Sequence, residues 1–391
     1  MQYVYLDHAA TTPVRPEVRA AMEPFLGDEA FGNPSSSHRA GRVARAGLDE
    51  ARRRIAGALG AEPGEVVFTS GGTEADNLAV LGVALAARTA QRPFRVAVGA
   101  AEHKAVLDAA RWVERLGGEA VILPLDGAGQ VDVAAVDAAL ARGVALLSVM
   151  WVNNEVGVVQ DVAALAARAA AAGVPFHTDA VQAVGKVPCS LAQSPIALLS
   201  LSGHKLGAPK GAGALVVRGD VPLEPLLHGG GQQRGVRPGT ENVAGAVGLS
   251  VAVELAAAEL DETAAHTRAL RDDLERRLVE RFPDAVVHGS RAPRAPHISN
   301  VSIPGTDSGG LLMHLDLAGV ACSSGSACTT GSAAPSHVLT AMGVPAPLAT
   351  ASLRCSFAHT STAGDVDRLL EVLPDAVAKV RQVAGALGRD A

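Results

Sequence analysis

Cysteine is scarce in this chain. Cys189, Cys322, Cys328 and Cys355 are the only four in 391 residues, too few to frame a disulfide scaffold. A surplus of positive charge is also missing: Lys and Arg number 34 against 40 Asp and Glu, which removes the electrostatic case for a nucleic-acid partner. No apolar run approaches the roughly 20 residues that span a bilayer. The most apolar stretch, 243–253, is broken by Gly245 and Gly248, stops at Glu254, and predicts a buried helix. The first residues lack the basic start and apolar core of a leader peptide, and no close-spaced Cys and His set fits a metal. These absences predict a cytoplasmic protein with reduced thiols, without membrane or nucleic-acid partner.

What is present has a regular order. A chain this long exceeds the size at which one core keeps growing, so two domains are expected. From about residue 39 to 218, short runs of Val, Leu and Ile alternate with longer Ala-rich stretches of helical period. Strands are predicted at 65–69, 95–98, 120–123, 144–150, 175–178, 196–201 and 214–217, with helices at 73–88, 104–116, 133–142 and 161–172. That alternation implies an α/β fold with a mainly parallel sheet covered by helices on both faces. After residue 218 come a Gly-rich loop at 228–235, a long helical stretch at 243–281 and shorter strands at 286–288, 299–303, 320–322 and 353–357. They predict a smaller α+β domain.

Parallel sheets bind ligands at the carboxyl ends of their strands. Five predicted strand ends carry polar residues: Ser70-Gly71-Gly72-Thr73, Glu102-His103, Asn153-Asn154-Glu155, Asp179 and His204-Lys205. Lys205 in Ser202-Gly203-His204-Lys205 follows an apolar run, with no helical face on which to be solvated. A lysine able to form a Schiff base, with an acid such as Asp179 to keep a pyridine nitrogen protonated, is the minimal equipment of pyridoxal phosphate chemistry. Gln182 is placed to contact the ring oxygen and His103 to stack on the ring face. Gly71 and Gly72 before Thr73 would let backbone N–H groups approach a phosphate at a helix N-terminus, with Ser202 and His204 as further donors. An ordinary glycine turn capped by Thr73, and a surface lysine, would leave the same local sequences.

Cys328 lies in Ser323-Ser324-Gly325-Ser326-Ala327-Cys328-Thr329-Thr330-Gly331-Ser332, small polar residues without periodicity, which read as an exposed loop of about 322–333. The other three cysteines sit in or beside apolar runs and are expected to pack as small hydrophobes. A thiol on such a loop is a candidate nucleophile; a redox pair with Cys322 and half of a metal site are the rival readings. Arg354 has the planar fork that grips a carboxylate, with Asn154 to assist from the other domain.

These residues stand in motifs spread over most of the chain. They include Tyr5-Leu6-Asp7-His8-Ala9-Ala10-Thr11-Thr12-Pro13, Phe31-Gly32-Asn33-Pro34-Ser35-Ser36, Ser70-Gly71-Gly72-Thr73-Glu74-Ala75-Asp76-Asn77, Glu102-His103-Lys104-Ala105-Val106, Val152-Asn153-Asn154-Glu155-Val156-Gly157, Asp179-Ala180-Val181-Gln182, Ser202-Gly203-His204-Lys205, Arg237-Pro238-Gly239-Thr240-Glu241-Asn242 and the Cys328 loop. Together they resemble the cysteine desulfurases of the nitrogen-fixation and housekeeping iron-sulfur-cluster type, in the class V aminotransferase group with pyridoxal phosphate fold type I.

The resemblance implies a large cofactor domain at 15–255 and a small domain made of 1–14 and 256–391. It implies that Lys205 carries the cofactor, Asp179 pairs with its ring nitrogen, Gln182 contacts its hydroxyl and His103 stacks on the ring and takes part in catalysis. Gly72, Thr73, Ser202 and His204 would hold the phosphate. Thr240 would reach the phosphate of a neighbouring subunit in a homodimer with shared sites. Asn33, Asn154 and Arg354 would bind substrate. L-cysteine would become L-alanine, with the sulfur left as a persulfide on Cys328 for an iron-sulfur scaffold or another carrier protein. A selenocysteine lyase or another class V aminotransferase is the alternative within the group. The chain departs from the pattern at Cys355, where Phe is usual, and at Ala358-His359, where Gly-Arg is usual. It also ends at Ala391 without the extended tail by which housekeeping members dock a scaffold.

Overall fold

Alternating apolar side chains decide how the central sheet is covered. In the computed structural model, which describes residues 3–219, 221–325 and 335–386, the elements begin with β1 (Val4–Tyr5), α1 (Pro16–Leu26), α2 (Arg39–Leu59), β2 (Val66–Thr69) and α3 (Gly72–Thr89). They continue with β3 (Arg95–Gly99), α4 (Lys104–Arg115), β4 (Glu119–Leu123), α5 (Val133–Ala141), β5 (Leu146–Ser148), α6 (Val162–Ala171), β6 (Phe176–Asp179), β7 (Leu198–Ser202) and β8 (Gly213–Val217). Seven strands form one sheet in the order β2-β8-β7-β6-β5-β3-β4; only β8 runs against the others. Successive residues point to opposite faces. Leu147, Leu199 and Val216 join α1, α2, α6 and α7 residues in one core, while Leu146, Leu198 and Leu215 join α3 and α4 in another.

The remaining chain comprises α7 (Val243–Ala258), α8 (Leu260–Arg281), β9 (Val286–Val287), β10 (Ile298–Ser302), α9 (Ser308–Leu317), β11 (Val320–Ala321), α10 (His337–Ala341), α11 (Ala346–Thr350), β12 (Ser352–Ser356) and α12 (Ala363–Ala386). β9, β10 and β12 make a three-stranded antiparallel sheet. The predicted helical stretch 243–281 is two helices bent by 73°. The reason is a change of surroundings: α7 is apolar and buried in the large core, whereas α8 is charged and commits only Leu270, Leu274 and Leu278 to a second core. Glu259, at the bend, is held by both Nη atoms of Arg15 at 2.7 Å. No single described helix is long and apolar enough to cross a membrane.

The second core also takes in the start of the chain. β1 pairs in parallel with β11, Val4 against Val320, and Val4 and Leu6 pack with Val301, Leu311, Leu353, Phe357 and Leu369. Cys322 and Cys355 belong there too, as free thiols whose sulfurs share a hydrogen bond at 3.7 Å. Leu6 is fully buried, so Leu6→Ala should lower the unfolding free energy by roughly 2–5 kcal/mol. A urea titration showing no shift of midpoint would contradict this placement of the N-terminal segment.

Candidate active site

A cavity of about 690 Å³ opens at the carboxyl ends of the parallel strands. Lys205 enters it from the short 3-10 turn Gly203–Lys205 that ends β7. Its Nζ donates to the carbonyls of Ala9 (2.7 Å) and Ala10 (2.6 Å), and Thr12 bonds the His204 carbonyl through both N–H and hydroxyl at 2.9 Å. The N-terminal segment therefore fixes the lysine turn. Burial pushes the Lys205 ammonium down to about 8, helped by the repulsion of Arg354 and opposed by Asp179 and Asp7.

Asp179, the last residue of β6, is buried and accepts from Val181 N–H at 2.8 Å. Two further carboxyls, Asp76 on α3 and Glu102 before α4, are 1% exposed. Asp76 Oδ1 and Glu102 Oε2 have no hydrogen-bond partner. Burial raises all three carboxyls, and the charge of Asp179 raises Asp76 and Glu102 further. For Asp179 the Val181 N–H, His103 and Lys205 pull the other way, so Asp179 is the member of the pair that ionises first. This is the electrostatic setting of a cationic ligand group.

His103 caps α4 by accepting the Ala105 N–H on Nδ1 (3.1 Å), which assigns any proton of the neutral ring to Nε2. Gln182 donates to the Ala9 carbonyl (2.9 Å), and its Oε1 lies 3.2 Å from His297 Nε2. Across the cavity, Gly72 and Thr73 open α3 beside buried Ser202. A Cβ on Gly72 would lie 2.9 Å from Val181 Cγ2 and 3.4 Å from Ser202 Cβ, so only glycine leaves this cradle undisturbed. His204 is held down to about 4 by burial and by Lys205 and Lys210, and its Nδ1 lies 3.2 Å from Thr11 Oγ1. A helix N-terminus next to a neutral His and a Ser hydroxyl suits a phosphate.

Arg354 on β12 supplies the opposite wall. It is buried, bonds Asp7 Oδ1 at 2.8 Å through Nη2 and the Asn154 carbonyl at 2.9 Å through Nη1, and leaves Nε without a partner. Gly72, Thr73, His103, Asn154, Asp179, Gln182, Ser202, His204, Lys205 and Arg354 thus line one cavity. Thr240 does not: it is exposed and faces a separate hollow of about 260 Å³ that shares only Ser70 and Gly211 with the first. Asn33 is also outside, exposed in a turn where its Oδ1 accepts from Ser35 N–H at 2.9 Å. Cys328 lies outside the described residues, yet Ser323, Ser324 and Gly325 before it and Pro335 after it line the same cavity.

Several residues gave no chemical signal in the sequence. Asp76, Glu102 and Glu155 sat inside motifs quoted for their neighbours, and His337 stood in none. In the fold Glu155 and His337 line the cavity with Lys104. Burial pushes the Glu155 carboxyl up to about 7 against the pull of the Ser336 hydroxyl, Arg354 and Lys104. A depressed lysine is directly measurable. With sparing acetic anhydride, Lys205 should gain acetyl with a pH midpoint near 8, against about 10.4 for exposed lysines; a midpoint above 10 would remove the burial argument.

Comparison with known proteins agrees with this geometry. Residues 4–369 match the aminotransferase class-V family. An IscS-like cysteine desulfurase of Mycobacterium tuberculosis is 47% identical over 385 residues, covering 97% of this chain and 98% of that protein. Among solved structures, a NifS-like protein superposes with a TM-score of 0.87 at 33% identity, over 98% of this chain and all of the other. SspA in complex with cysteine superposes at 0.80 with 33% identity, covering 92% of this chain and 100% of that one.

Proposed function

Because the chain belongs to the aminotransferase class-V family, and its relatives include named cysteine desulfurases matched almost end to end, we propose that it is a pyridoxal phosphate-dependent cysteine desulfurase. One observation carries the reading beyond the family: both flanks of the segment that holds Cys328 line the cavity that holds Lys205. In this reading residues 15–255 form the cofactor domain, and 1–14 with 256–391 form the domain that presents the thiol.

The residues fit the cofactor. The buried carboxyls of Asp179 and Asp76 in the cavity lining suit a cationic ring, and the Gly72 cradle beside Ser202 and His204 suits a phosphate. Lys205 would hold the group covalently, Asp179 would bond its ring nitrogen, Gln182 its ring oxygen, and His103 would cover its face. Once bound, pyridoxal phosphate supplies an electron sink next to the substrate α-carbon.

The chain's own groups do the rest. Arg354 and Asn154, both in the cavity lining, would hold the carboxylate of L-cysteine through the planar guanidinium and the amide. SspA was solved with cysteine, which supports this substrate. Lys205, neutral above a pH of about 8, takes the α-proton. The Cys328 thiolate would attack the substrate sulfur: an S–S bond forms, the C–S bond breaks with its electron pair on the β-carbon, His103 passes the proton of the substrate thiol to that carbon, and Lys205 returns the α-proton to complete L-alanine. The persulfide then passes to an acceptor protein, and a reducing cytoplasm would keep the Cys328 thiol free. Thr240 and Asn33 face away from the cavity of their own chain, so their contribution requires a second subunit, as in a homodimer with shared sites.

Purified protein loaded with pyridoxal phosphate and given L-cysteine should form alanine and carry one added sulfur on Cys328 by mass spectrometry. Cys328→Ala should keep the cofactor absorbance and lose alanine formation by roughly 10²-fold or more. Undiminished turnover in that variant would overturn the role given to Cys328.

A further inference from the structure

Glu155 is a buried cavity carboxylate that the proposed reaction leaves without a task. Its side chain is 4% exposed and sits between the two ends of the segment containing Cys328. Its backbone is fixed first: Asn153 Oδ1 accepts the N–H groups of Glu155 and Val156 at 2.9 Å, and Asn300 Nδ2 donates to the Glu155 carbonyl at 3.1 Å. One oxygen, Oε2, then accepts from the Ser336 hydroxyl, and the same oxygen would stand 2.5 Å from a Cβ on Gly325. Gly325 therefore packs against Glu155 as closely as only glycine can. Ser336 also caps α10 through Leu339 N–H at 3.2 Å, and His337 bonds the Glu102 carbonyl at 3.0 Å, so the incoming stem is tied to the cavity wall.

We propose that Glu155 is a positioning residue whose carboxylate, bonded to the Ser336 hydroxyl and abutting Gly325, fixes the two flanks of segment 326–334 at the cavity wall and so governs sulfur transfer to Cys328. The proposal rests on the desulfurase reading above only for what the segment delivers. Fixing the two ends of a connecting segment at one point raises the effective concentration of a group that the segment carries. A displacement of about 1 Å at a reacting group can cost two orders of magnitude in rate. The stems are therefore where sulfur transfer is sensitive without any change in cofactor or substrate binding.

The test compares the cofactor-loaded wild type with Ser336→Ala, Ser336→Thr, Gly325→Ala and Glu155→Gln. Ser336→Thr keeps the hydroxyl and the helix cap, Ser336→Ala removes both, and Gly325→Ala drives a methyl group against the carboxylate. Binding of L-cysteine, read from the cofactor absorbance, should stay within about twofold of wild type in all four. The single-turnover rate of sulfur arrival on Cys328 should fall about tenfold or more in Ser336→Ala, Gly325→Ala and Glu155→Gln, and recover in Ser336→Thr. Deuterium uptake at 321–325 and 335–341 should rise in the same three variants alone. Equal transfer rates in Ser336→Ala and Ser336→Thr would overturn the proposal, as would loss of L-cysteine binding in step with rate. Should the wild type place no sulfur on Cys328, the desulfurase reading fails; the uptake data then decide the anchor by themselves, faster exchange in Ser336→Ala but not Ser336→Thr supporting it and equal exchange refuting it.

Discussion

The two hydrogen bonds from Lys205 Nζ to the carbonyls of Ala9 and Ala10 join partners nearly 200 residues apart in sequence. Everything else in the site depends on them. The segment that supplies those carbonyls is rooted by Val4 and Leu6 in the second core, passes Arg354 at Asp7, and continues to Thr12 against the His204 carbonyl. Residues 4–12 thus tie the floor of the cavity to the wall opposite. A lysine aimed by backbone carbonyls keeps its position in either protonation state, because a neutral amine still has N–H bonds to donate.

Burial sets the electrostatics, and it acts on both signs at once. It lowers Lys205 and His204 and raises Asp76, Glu102, Asp179 and Glu155. Each group is thereby moved toward its neutral form, which a low-dielectric cavity favours unless a partner of opposite charge arrives. Functional sites concentrate such shifts. A cationic ring nitrogen would stabilise the carboxylate form of Asp179, and a substrate carboxylate would meet Arg354, whose buried Nε has no partner among the described residues. The ligand groups complete charges that the fold leaves incomplete.

The strands of the large sheet were legible because β-branched and leucine runs alternate with alanine-rich helices of clear period. β6, predicted at 175–178, forms at Phe176–Asp179, and α3, predicted at 73–88, forms at Gly72–Thr89. Antiparallel β8 carries no mark of its direction, since a buried strand reads the same either way. The 73° bend between α7 and α8 escaped detection because Glu259 is a good helix former; the Arg15 side chain that holds it comes from the other end of the chain. In the site, residues with distinctive chemistry at strand ends, such as Lys205 and Asp179, were readable. Asp76 and His337 were not, because a carboxylate on a helix and a histidine beginning one are ordinary surface features until tertiary packing buries or aims them.

The arrangement also divides the labour of a reaction that needs opposite things of its two nucleophiles. Lys205 must stay in one place, and its turn is fixed by an element of the sheet below and by a second core through the N-terminal segment. A sulfur acceptor must instead be offered to the cavity and then to a partner, which a strand end cannot do. The fold places that thiol in a segment whose stems, Ser323 paired with Arg354 and Ser336 on Glu155, are secured to the cavity wall. Arg354 is common to both halves: it holds Asp7 on the lysine side and bonds the Ser323 backbone on the thiol side. In the proposed reaction, substrate bound at Arg354 would therefore lie between the lysine and the stem of the thiol segment, with the Arg354 guanidinium tied to the lysine side and its main chain to the stem.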